Sequence, residues 1–372
     1  KNESTKFIGI QITASHNPYQ DNGIKVFDKN GLKITEQQEC EIENTFNHPD
    51  QESNNSKEVE FSEITKVEYA KNVTPSQKPN QKISISHEEG DKGVILNEYT
   101  KAIISYFKNK IKDENNMKML IMVDLANGAM AGLFRHVFND LDMPDIFDFL
   151  YKNDEPNGKN INEKCGATHI NTLKQQIKSY NGSNQRKIDL GVAFDGDGDR
   201  AIFVTTNGDV VDGDEILYIL SKFKKDYKNY EGPVVGTLMT NYGIQSAYKK
   251  AGIDFHATNV GDKFVYQKMK DINAEIGGES SGHIITTDFI DIPIGDGIIT
   301  LINLLEVLSK TELGLDDFKK ATSKIVTPSK LINIPVENKK EFMENKINQK
   351  IFIDLENRVT NLGRILIRES GT

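Results

Sequence analysis

The sequence is poor in cysteine, in long apolar runs and in net positive charge. Its two cysteines, Cys40 and Cys165, are too few for a disulfide framework, which favours a reducing cytoplasm. No run of about eighteen apolar residues occurs, and the N-terminal KNESTKF lacks the apolar core of a signal peptide. The net charge of −9 argues against a general nucleic-acid binder but leaves an anionic small substrate open.

Apolar strand patterns and helical patterns alternate along most of the 372 residues. This alternation predicts several α/β domains whose chemistry lies on loops at strand ends. A polar stretch over residues 46–93 is interpreted as a surface connector. From about Pro328 we expect a strand (KLINIPV), a helix and a final strand with a Gly turn (GRILIRESGT). That is too little to close a core, so we expect truncation at this end.

The segment DGDGDR places three aspartates at alternate positions after an apolar strand. Their carboxylates repel one another unless a cation neutralises them, and hard oxygen ligands suit Mg²⁺ or Ca²⁺. An EF-hand loop is excluded because its sixth and twelfth positions, Gly and Glu, are here Arg200 and Thr206. An acidic turn without metal is the alternative. A cation site is therefore predicted at Asp195, Asp197 and Asp199.

The segment GESSG, residues 278–282, matches the nucleophile elbow of hydrolases. That motif needs a helix after the turn and a later histidine, whereas a β-like HIITTD follows and the only later histidine is His283. The hydrolase interpretation is therefore weak. As a loop, Glu279, Ser281 and His283 offer polar groups suited to sugar hydroxyls, and His283 titrates near neutrality.

Two further loops carry hydroxyl groups. Ser15 follows the strand-like FIGIQIT, between turn signals at Asn17-Pro18 and Asn22-Gly23, and is either a nucleophile or an ordinary turn hydroxyl. Near the other end, IRESGT offers a guanidinium, two hydroxyls and backbone N–H groups that could cradle a phosphate. The alternative for IRESGT is a strand that ends in a turn.

Together, TASHNP, DGDGDR, GESSGH and RESGT resemble, in this order, the phosphoserine, magnesium, sugar-recognition and phosphate-binding loops of the α-D-phosphohexomutase superfamily. The accessory stretches EPNGKNINEKCGATH, GTLMTNYG, NVGDKFVYQKM and GDGI are similar to its bacterial phosphoglucosamine mutase branch. The resemblance implies three mixed α/β domains and a C-terminal α+β domain, with both chain ends truncated. The predicted domains are residues 1–98, 99–205, 206–326 and 327–372.

The resemblance also implies a role for each motif residue. Ser15 would carry a phosphoryl group, and one Mg²⁺ per active site would bind to a phosphoserine oxygen and the three aspartates. Lys25, Arg200 and His283 are unranked candidates for acid–base work, and His16 and Lys263 are candidates for substrate contact. Glu279, Ser281 and His283 would bind the sugar. The non-reacting phosphate would be held by Arg368, Ser370, Gly371 and Thr372.

The implied reaction interconverts glucosamine 6-phosphate and glucosamine 1-phosphate through a 1,6-bisphosphate, for UDP-N-acetylglucosamine and cell-wall synthesis. Glucosamine or glucose 1,6-bisphosphate would prime the enzyme, and phosphorylation of Ser15 would activate it. The expected partner is a hexosamine phosphate, with no nucleic acid or membrane and a homodimer as a candidate assembly. The alternatives are a phosphomannomutase/phosphoglucomutase, a non-catalytic sugar-phosphate sensor, and a phosphatase with Asp195 as nucleophile.

Overall fold

The structure, a computed structural model, describes residues 9–28, 31–47, 91–111, 118–141, 146–289, 294–359 and 363–368. The chain divides into two units, Lys1–Ile10 with Val26–Tyr99 and Gln11–Lys25 with Thr100–Thr372. The predicted surface connector lies almost entirely outside the described residues. Among the described residues, no helix has both the length and the apolar character that crossing a membrane requires.

The N-terminal elements place Ser15 in a loop between two strands. Strands β1 (Gly9–Thr13) and β2 (Gly23–Phe27) form a two-stranded sheet, and a short 3-10 turn, Tyr19–Asp21, lies between them. Helices α1 (Glu36–Asn47) and α2 (Asp91–Lys110) follow. The predicted strand before Ser15 is confirmed, since Ser15 comes two residues after the end of β1.

A five-stranded sheet follows. Its strands are β3 (Met119–Asp124), β4 (Phe147–Lys152), β5 (Leu190–Phe194), β6 (Ala201–Thr205) and β7 (Val210–Val211), in the order β4-β3-β5-β6-β7. Helix α4 (Ile170–Ser183) covers one face through Leu173 and Ile177, and α3 (Met130–Asp140) packs Phe134 against Phe194. Because β5 and β6 pair antiparallel with Phe194 opposite Ala201, the acidic loop is the turn of a hairpin.

A second sheet has the order β11-β10-β8-β9. Its strands are β8 (Val234–Thr237), β9 (Phe255–Thr258), β10 (Ile276–Gly278) and β11 (Ile284–Thr286). The accompanying helices are α5 (Gly213–Lys228), α6 (Tyr242–Lys250), α7 (Asp262–Asp271), α8 (Gly297–Thr311) and α9 (Leu315–Thr322). Because β8, β9 and β10 are parallel, the loops after them lie at one edge, where α/β sheets bind ligands.

The C-terminal prediction is only partly correct. The predicted helix forms as α10 (Lys339–Glu344) and α11 (Lys346–Val359), separated by Asn345, whose side chain caps α11 through the N–H of Ile347. The two predicted strands are wrong, because residues 330–336 and 363–368 are irregular. An apolar alternating run becomes a strand only beside a partner strand, and Leu331 and Ile334 are 70% and 71% exposed.

A buried acid near the start of α5 gives a stability prediction. Asp214 accepts a hydrogen bond from the N–H of Asn241 at 2.8 Å, and burial, aided by the charge of Asp212, raises the pKa of Asp214 to about 7. Between the unfolded pKa of 3.8 and this value the native state binds more protons, so the free energy of unfolding falls as pH rises. Above about pH 7 the whole penalty is present.

Asp214→Asn removes this penalty, so we expect its Tm to exceed that of the wild type by a few degrees at pH 8. The difference should become small near pH 4, where Asp214 is protonated in the native state and about half ionised in the unfolded state. Thermal unfolding at both pH values measures it, and Asp226→Asn, on the exposed side of the same helix, is the control. An equal difference at both pH values would contradict the assignment.

Candidate active site

The acidic loop between β5 and β6 has a fixed backbone. The Oδ1 atom of Asp195, which is fully buried, accepts hydrogen bonds from the N–H groups of Gly198 at 3.1 Å and Arg200 at 3.2 Å. Gly196 donates its N–H to the carbonyl oxygen of Ser15 at 3.0 Å, and a Cβ at this glycine would lie 2.4 Å from the same oxygen. The first glycine of DGDGDR therefore allows the Ser15 loop to approach the acidic loop.

Each of the three aspartates has one carboxylate oxygen committed to the protein and one uncommitted. Lys25 Nζ lies 2.7 Å from Asp197 Oδ2 and 3.2 Å from Asp199 Oδ2. Thr13 Oγ1 also donates to Asp197 Oδ2, at 3.1 Å. In these three carboxylates the buried oxygens without a hydrogen-bond partner among the described residues are Asp195 Oδ2, Asp197 Oδ1 and Asp199 Oδ1.

These carboxylates fit a Mg²⁺ ion. One oxygen from each lies within 4.8 Å of the other two. Neighbouring ligands of an octahedral Mg²⁺ at about 2.1 Å lie about 3.0 Å apart and opposite ligands about 4.2 Å apart, so the carboxylates need to draw together by at most about an ångström each. Three hard carboxylate oxygens without hydrogen-bond partners among the described residues are the type of donor set that Mg²⁺ prefers.

The surroundings shift the pKa values of the clustered aspartates in opposite directions. Burial, aided by the charges of Asp199 and Asp197, raises the pKa of Asp195 to about 7. Burial opposes ionisation of Asp199 too, but the hydrogen bond from His283 and the charges of Lys25 and Arg200 hold the pKa of Asp199 well below its usual range. The cluster therefore carries a negative charge that a cation can offset.

Two basic side chains border the acidic cluster. Burial opposes the charge of Lys25, but Asp199 and the hydrogen bond to Asp197 raise the pKa of Lys25, so its ammonium group stays protonated. Arg200 Nε lies 3.8 Å from both Asp195 Oδ2 and Asp199 Oδ1 and has no hydrogen-bond partner among the described residues. This buried donor is suited to an anionic oxygen that approaches the cluster.

Ser15 has a left-handed backbone, with φ of 49°. Its N–H donates to Thr13 Oγ1 at 2.8 Å, and its Oγ lies 3.5 Å from Nδ1 of His16. Burial and the positive charge of Arg200 lower the pKa of His16, so its imidazole is neutral near pH 7. Ser15 is thus a loop hydroxyl in a constrained turn beside the acidic loop.

The hairpin β10–β11 carries the predicted sugar loop and is joined to the acidic loop. The carbonyl oxygen of Gly282 accepts from the N–H of Ala201 at 3.1 Å, and Glu279 Oε1 accepts from the N–H of Gly261 at 2.9 Å. No helix follows GESSG, which agrees with rejecting the hydrolase interpretation.

His283 lies 5% exposed between two carboxylates. Its Nδ1 is 3.6 Å from Asp199 Oδ2 and its Nε2 is 4.0 Å from Asp262 Oδ2. Burial lowers the pKa of His283, but the hydrogen bond and charge of Asp199 and the charge of Asp262 outweigh it and raise the pKa. His283 thus connects the sugar loop to a predicted metal ligand.

The structure brings most of the predicted site residues together. Side-chain contacts within 4 Å join Lys25, Asp195, Asp197, Asp199, Arg200 and His283. Ser15 and His16 contact each other through their side chains, and the Ser15 carbonyl oxygen links them to the acidic loop at Gly196. Glu279 and Ser281 lie on the adjoining hairpin. Lys263 is the second residue of α7, and its Nζ lies 5.5 Å from the ring centre of Phe264. Arg368 is exposed, and Ser370, Gly371 and Thr372 lie outside the described residues.

Three residues that contact the site, Thr13, Asp262 and Asn162, were not predicted from the sequence. Thr13 lies within the TASHNP segment, so its proximity to Ser15 was the available signal. Asp262 follows Gly261 at the start of α7. Asn162 donates to the Ser15 carbonyl group from 147 positions away, and no local pattern indicates that contact.

Comparison with known proteins identifies the family to which the chain belongs. Three family models match successive parts of the chain, namely phosphoglucomutase/phosphomannomutase α/β/α domain I over residues 3–53, domain II over 97–208 and domain III over 212–325. The chain therefore belongs to the α-D-phosphohexomutase superfamily, and the predicted α/β fold class is confirmed. The predicted domain boundaries remain predictions.

The relatives define the particular family. The phosphoglucosamine mutase of Bacillus subtilis is 35% identical over 367 residues, and that of Haemophilus ducreyi is 34% identical over 365 residues; each match covers 98% of this chain and 72% of the relative. The chain belongs to the phosphoglucosamine mutase family. The predicted family and enzyme class are confirmed, and the phosphomannomutase/phosphoglucomutase alternative is not favoured.

Solved structures show the same fold at low sequence identity. Aspergillus fumigatus N-acetylphosphoglucosamine mutase, in complex with GlcNAc-6P and magnesium, is similar with a TM-score of 0.72 and 20% identity, covering 99% of this chain and 84% of that one. A phosphoglucomutase/phosphomannomutase family protein from Burkholderia thailandensis gives a TM-score of 0.60 at 20% identity, with 86% and 58% coverage.

Proposed function

We propose that the chain interconverts glucosamine 6-phosphate and glucosamine 1-phosphate through phospho-Ser15 and a 1,6-bisphosphate. The observation that carries the proposal is the hydrogen bond between the Ser15 carbonyl oxygen and the N–H of Gly196. It joins the loop that carries the Ser15 hydroxyl group to the loop of the three aspartates, each of which has one carboxylate oxygen without a hydrogen-bond partner among the described residues. A serine beside a divalent-cation site is the arrangement that phosphoryl transfer requires.

Asp195, Asp197 and Asp199, with an oxygen of phospho-Ser15, are the proposed ligands of one Mg²⁺. When bound, Mg²⁺ supplies positive charge that neutralises the phosphoryl oxygens. Lys25 is already protonated beside Asp197 and Asp199, so it can donate to a phosphoryl oxygen and stabilise the leaving group. Arg200 Nε adds a second cationic donor.

The proposed cycle needs two transfers. Ser15 Oγ releases its phosphoryl group to O1 of glucosamine 6-phosphate as the Oγ–P bond breaks and the O1–P bond forms, while the proton of the O1 hydroxyl passes by way of a basic group to Ser15 Oγ. The bisphosphate then turns over in the site and returns its 6-phosphoryl group to Ser15, which leaves glucosamine 1-phosphate. A hexose 1,6-bisphosphate primes the unphosphorylated enzyme.

The remaining groups position the sugar phosphate. Glu279, Ser281 and His283 lie on the hairpin joined to the acidic loop and are the proposed sugar-binding residues, and His16 and Lys263 are further candidates for substrate contact. The proposed cradle for the non-reacting phosphate consists of Arg368, Ser370, Gly371 and Thr372. Activating phosphorylation of Ser15, a cytoplasmic location and a homodimer also belong to this proposal.

A comparison of sugars tests the proposed substrate. The wild-type protein is assayed with Mg²⁺ and glucose 1,6-bisphosphate on glucosamine 6-phosphate, glucose 1-phosphate and mannose 1-phosphate. We expect kcat/KM to be at least about tenfold higher for glucosamine 6-phosphate, since glucose and mannose carry a neutral 2-hydroxyl group in place of the charged 2-amino group, and hydrogen bonds from a charged group are stronger. Equal turnover of the neutral sugars would reject the substrate assignment, and no turnover of any sugar would reject mutase activity.

A further inference from the structure

Asn162 joins the Ser15 loop to the five-stranded sheet. It lies in the long loop after β4, is 5% exposed, and donates through Nδ2 to the carbonyl oxygens of Ser15 and Asn17, both at 2.8 Å. The two acceptors flank His16. One amide group therefore holds both ends of the tripeptide that contains the proposed phosphoryl carrier.

This tripeptide needs external support. A residue with a Cβ is disfavoured in the left-handed region that Ser15 occupies, at φ of 49°, and stays there only where its surroundings hold it. The Ser15 carbonyl oxygen accepts from Gly196 N at 3.0 Å as well as from Asn162 Nδ2, so both of its lone pairs are used. On the other side, the Ser15 N–H is bound by Thr13.

Asn162 is itself fixed by the sheet. Its N–H donates to the carbonyl oxygen of Ala126 at 2.9 Å, just beyond the end of β3. Asp124, the last and fully buried residue of β3, accepts from the N–H groups of Ala126 at 3.0 Å and Gly166 at 2.9 Å, which anchors both segments. Because β3, β4 and β5 are parallel, their following loops meet at one edge, next to the acidic loop.

The side chain of Asn162 also packs against the acidic loop. A Cβ at Gly196 would lie 2.7 Å from Cδ1 of Ile161 and 2.9 Å from Nδ2 of Asn162. The amide is therefore enclosed between the Ser15 loop and the loop of the three aspartates. Any displacement of Asn162 changes where Ser15 lies relative to those aspartates.

We propose that Asn162 is a positioning residue for phosphoryl transfer, which sets the place of Ser15 against the acidic loop through the Ser15 and Asn17 carbonyl groups. The inference rests on the proposed function of Ser15. Asn162 acts through Ser15, because its side chain is 5% exposed and its amide donates to the carbonyl groups of the Ser15 loop. Its effect should therefore be on the rate of transfer rather than on binding.

Asn162→Gly is the first test variant. Glycine accepts the left-handed backbone of this position, φ of 58°, so the variant removes the amide and keeps the loop conformation. We expect kcat to fall about 10- to 100-fold, because a misplacement of about 1 Å has an effect of that order, while KM changes by less than about threefold. In Asn162→Asp a carboxylate would face two carbonyl oxygens, so we expect kcat to fall at least as far.

Asn273→Gly, at an exposed left-handed position after α7, is the matched control and should keep wild-type activity.

Hydrogen–deuterium exchange separates positioning from folding. In Asn162→Gly we expect faster exchange in the peptide that spans residues 13–19 and wild-type exchange in the strands β3 and β5. Retention of kcat within about twofold would overturn the proposal, as would faster exchange throughout the sheet. If the wild type turned over no sugar phosphate, the proposed function would fail. Exchange in residues 13–19 of Asn162→Gly would still decide whether Asn162 holds Ser15. Unchanged exchange there would overturn the inference.

Discussion

Loss of the Ser15 hydroxyl group is expected to lower mutase turnover by at least about a thousandfold, because no other group then carries the phosphoryl between the two sugar oxygens. The variant must preserve the backbone for this result to be interpretable. Ser15 has φ of 49°, which alanine disfavours and glycine accepts. Ser15→Gly is therefore the more informative substitution, with Ser15→Ala beside it. Turnover is measured with glucosamine 6-phosphate, Mg²⁺ and a bisphosphate primer.

Two controls make the Ser15 result specific. Ser246→Ala removes a hydroxyl group that donates to the carbonyl oxygen of Tyr242 within α6, at 3.0 Å, and should leave turnover unchanged. Intact mass after incubation with the primer should show one added phosphoryl group in the wild type and none in Ser15→Gly. Phosphorylation and turnover that persisted in Ser15→Gly would mean that another residue carries the group.

Neutralising one aspartate of the acidic cluster is expected to have the next largest effect. Asp197→Asn keeps the shape of the side chain but reduces the charge that faces the cation, so we expect an apparent Mg²⁺ affinity at least about tenfold weaker. We also expect kcat to fall about a hundredfold or more, since charge neutralisation is the main contribution to phosphoryl transfer. The Mg²⁺ dependence of both Tm and turnover measures these changes.

The Tm of the metal-free protein separates loss of metal binding from loss of stability in Asp197→Asn. Replacing Asp197 lessens repulsion among three clustered carboxylates but also removes the ion pair with Lys25 at 2.7 Å. These effects oppose each other, so Tm without metal should change little, while the rise in Tm on adding Mg²⁺ should shrink. Asp209→Asn, an exposed position in the turn after β6, is the control. An unchanged response to Mg²⁺ in Asp197→Asn would contradict the metal site.

The core of the site could be predicted from sequence because its determinants are local. Asp195, Asp197 and Asp199 alternate with glycines between two apolar runs, so the strand–loop–strand arrangement and the convergence of carboxylates follow from neighbouring residues. The turn signals around Ser15 similarly predicted a loop after β1. In both cases short-range physical chemistry determines the geometry.

What could not be predicted depends on residues far apart in the chain. Asn162 meets Ser15 because three parallel strands place their following loops at one edge, and no spacing in the sequence encodes that contact. The strand predicted over residues 330–336 failed for a related reason. Alternating apolar residues such as Ile332 and Ile334 satisfy the pattern, but a strand also needs a neighbour to accept its backbone hydrogen bonds.

One labelled phosphoryl group tests the central claim most directly. The protein is phosphorylated with ³²P-labelled glucose 1,6-bisphosphate, freed of sugar phosphates, mapped for the labelled residue and then mixed with glucosamine 6-phosphate and Mg²⁺. We predict that the label maps to Ser15, leaves the protein on mixing, and is recovered in glucosamine 1,6-bisphosphate and glucosamine 1-phosphate. Label on another residue, or label released only as inorganic phosphate, would contradict the assignment of Ser15 as the phosphoryl carrier of a mutase.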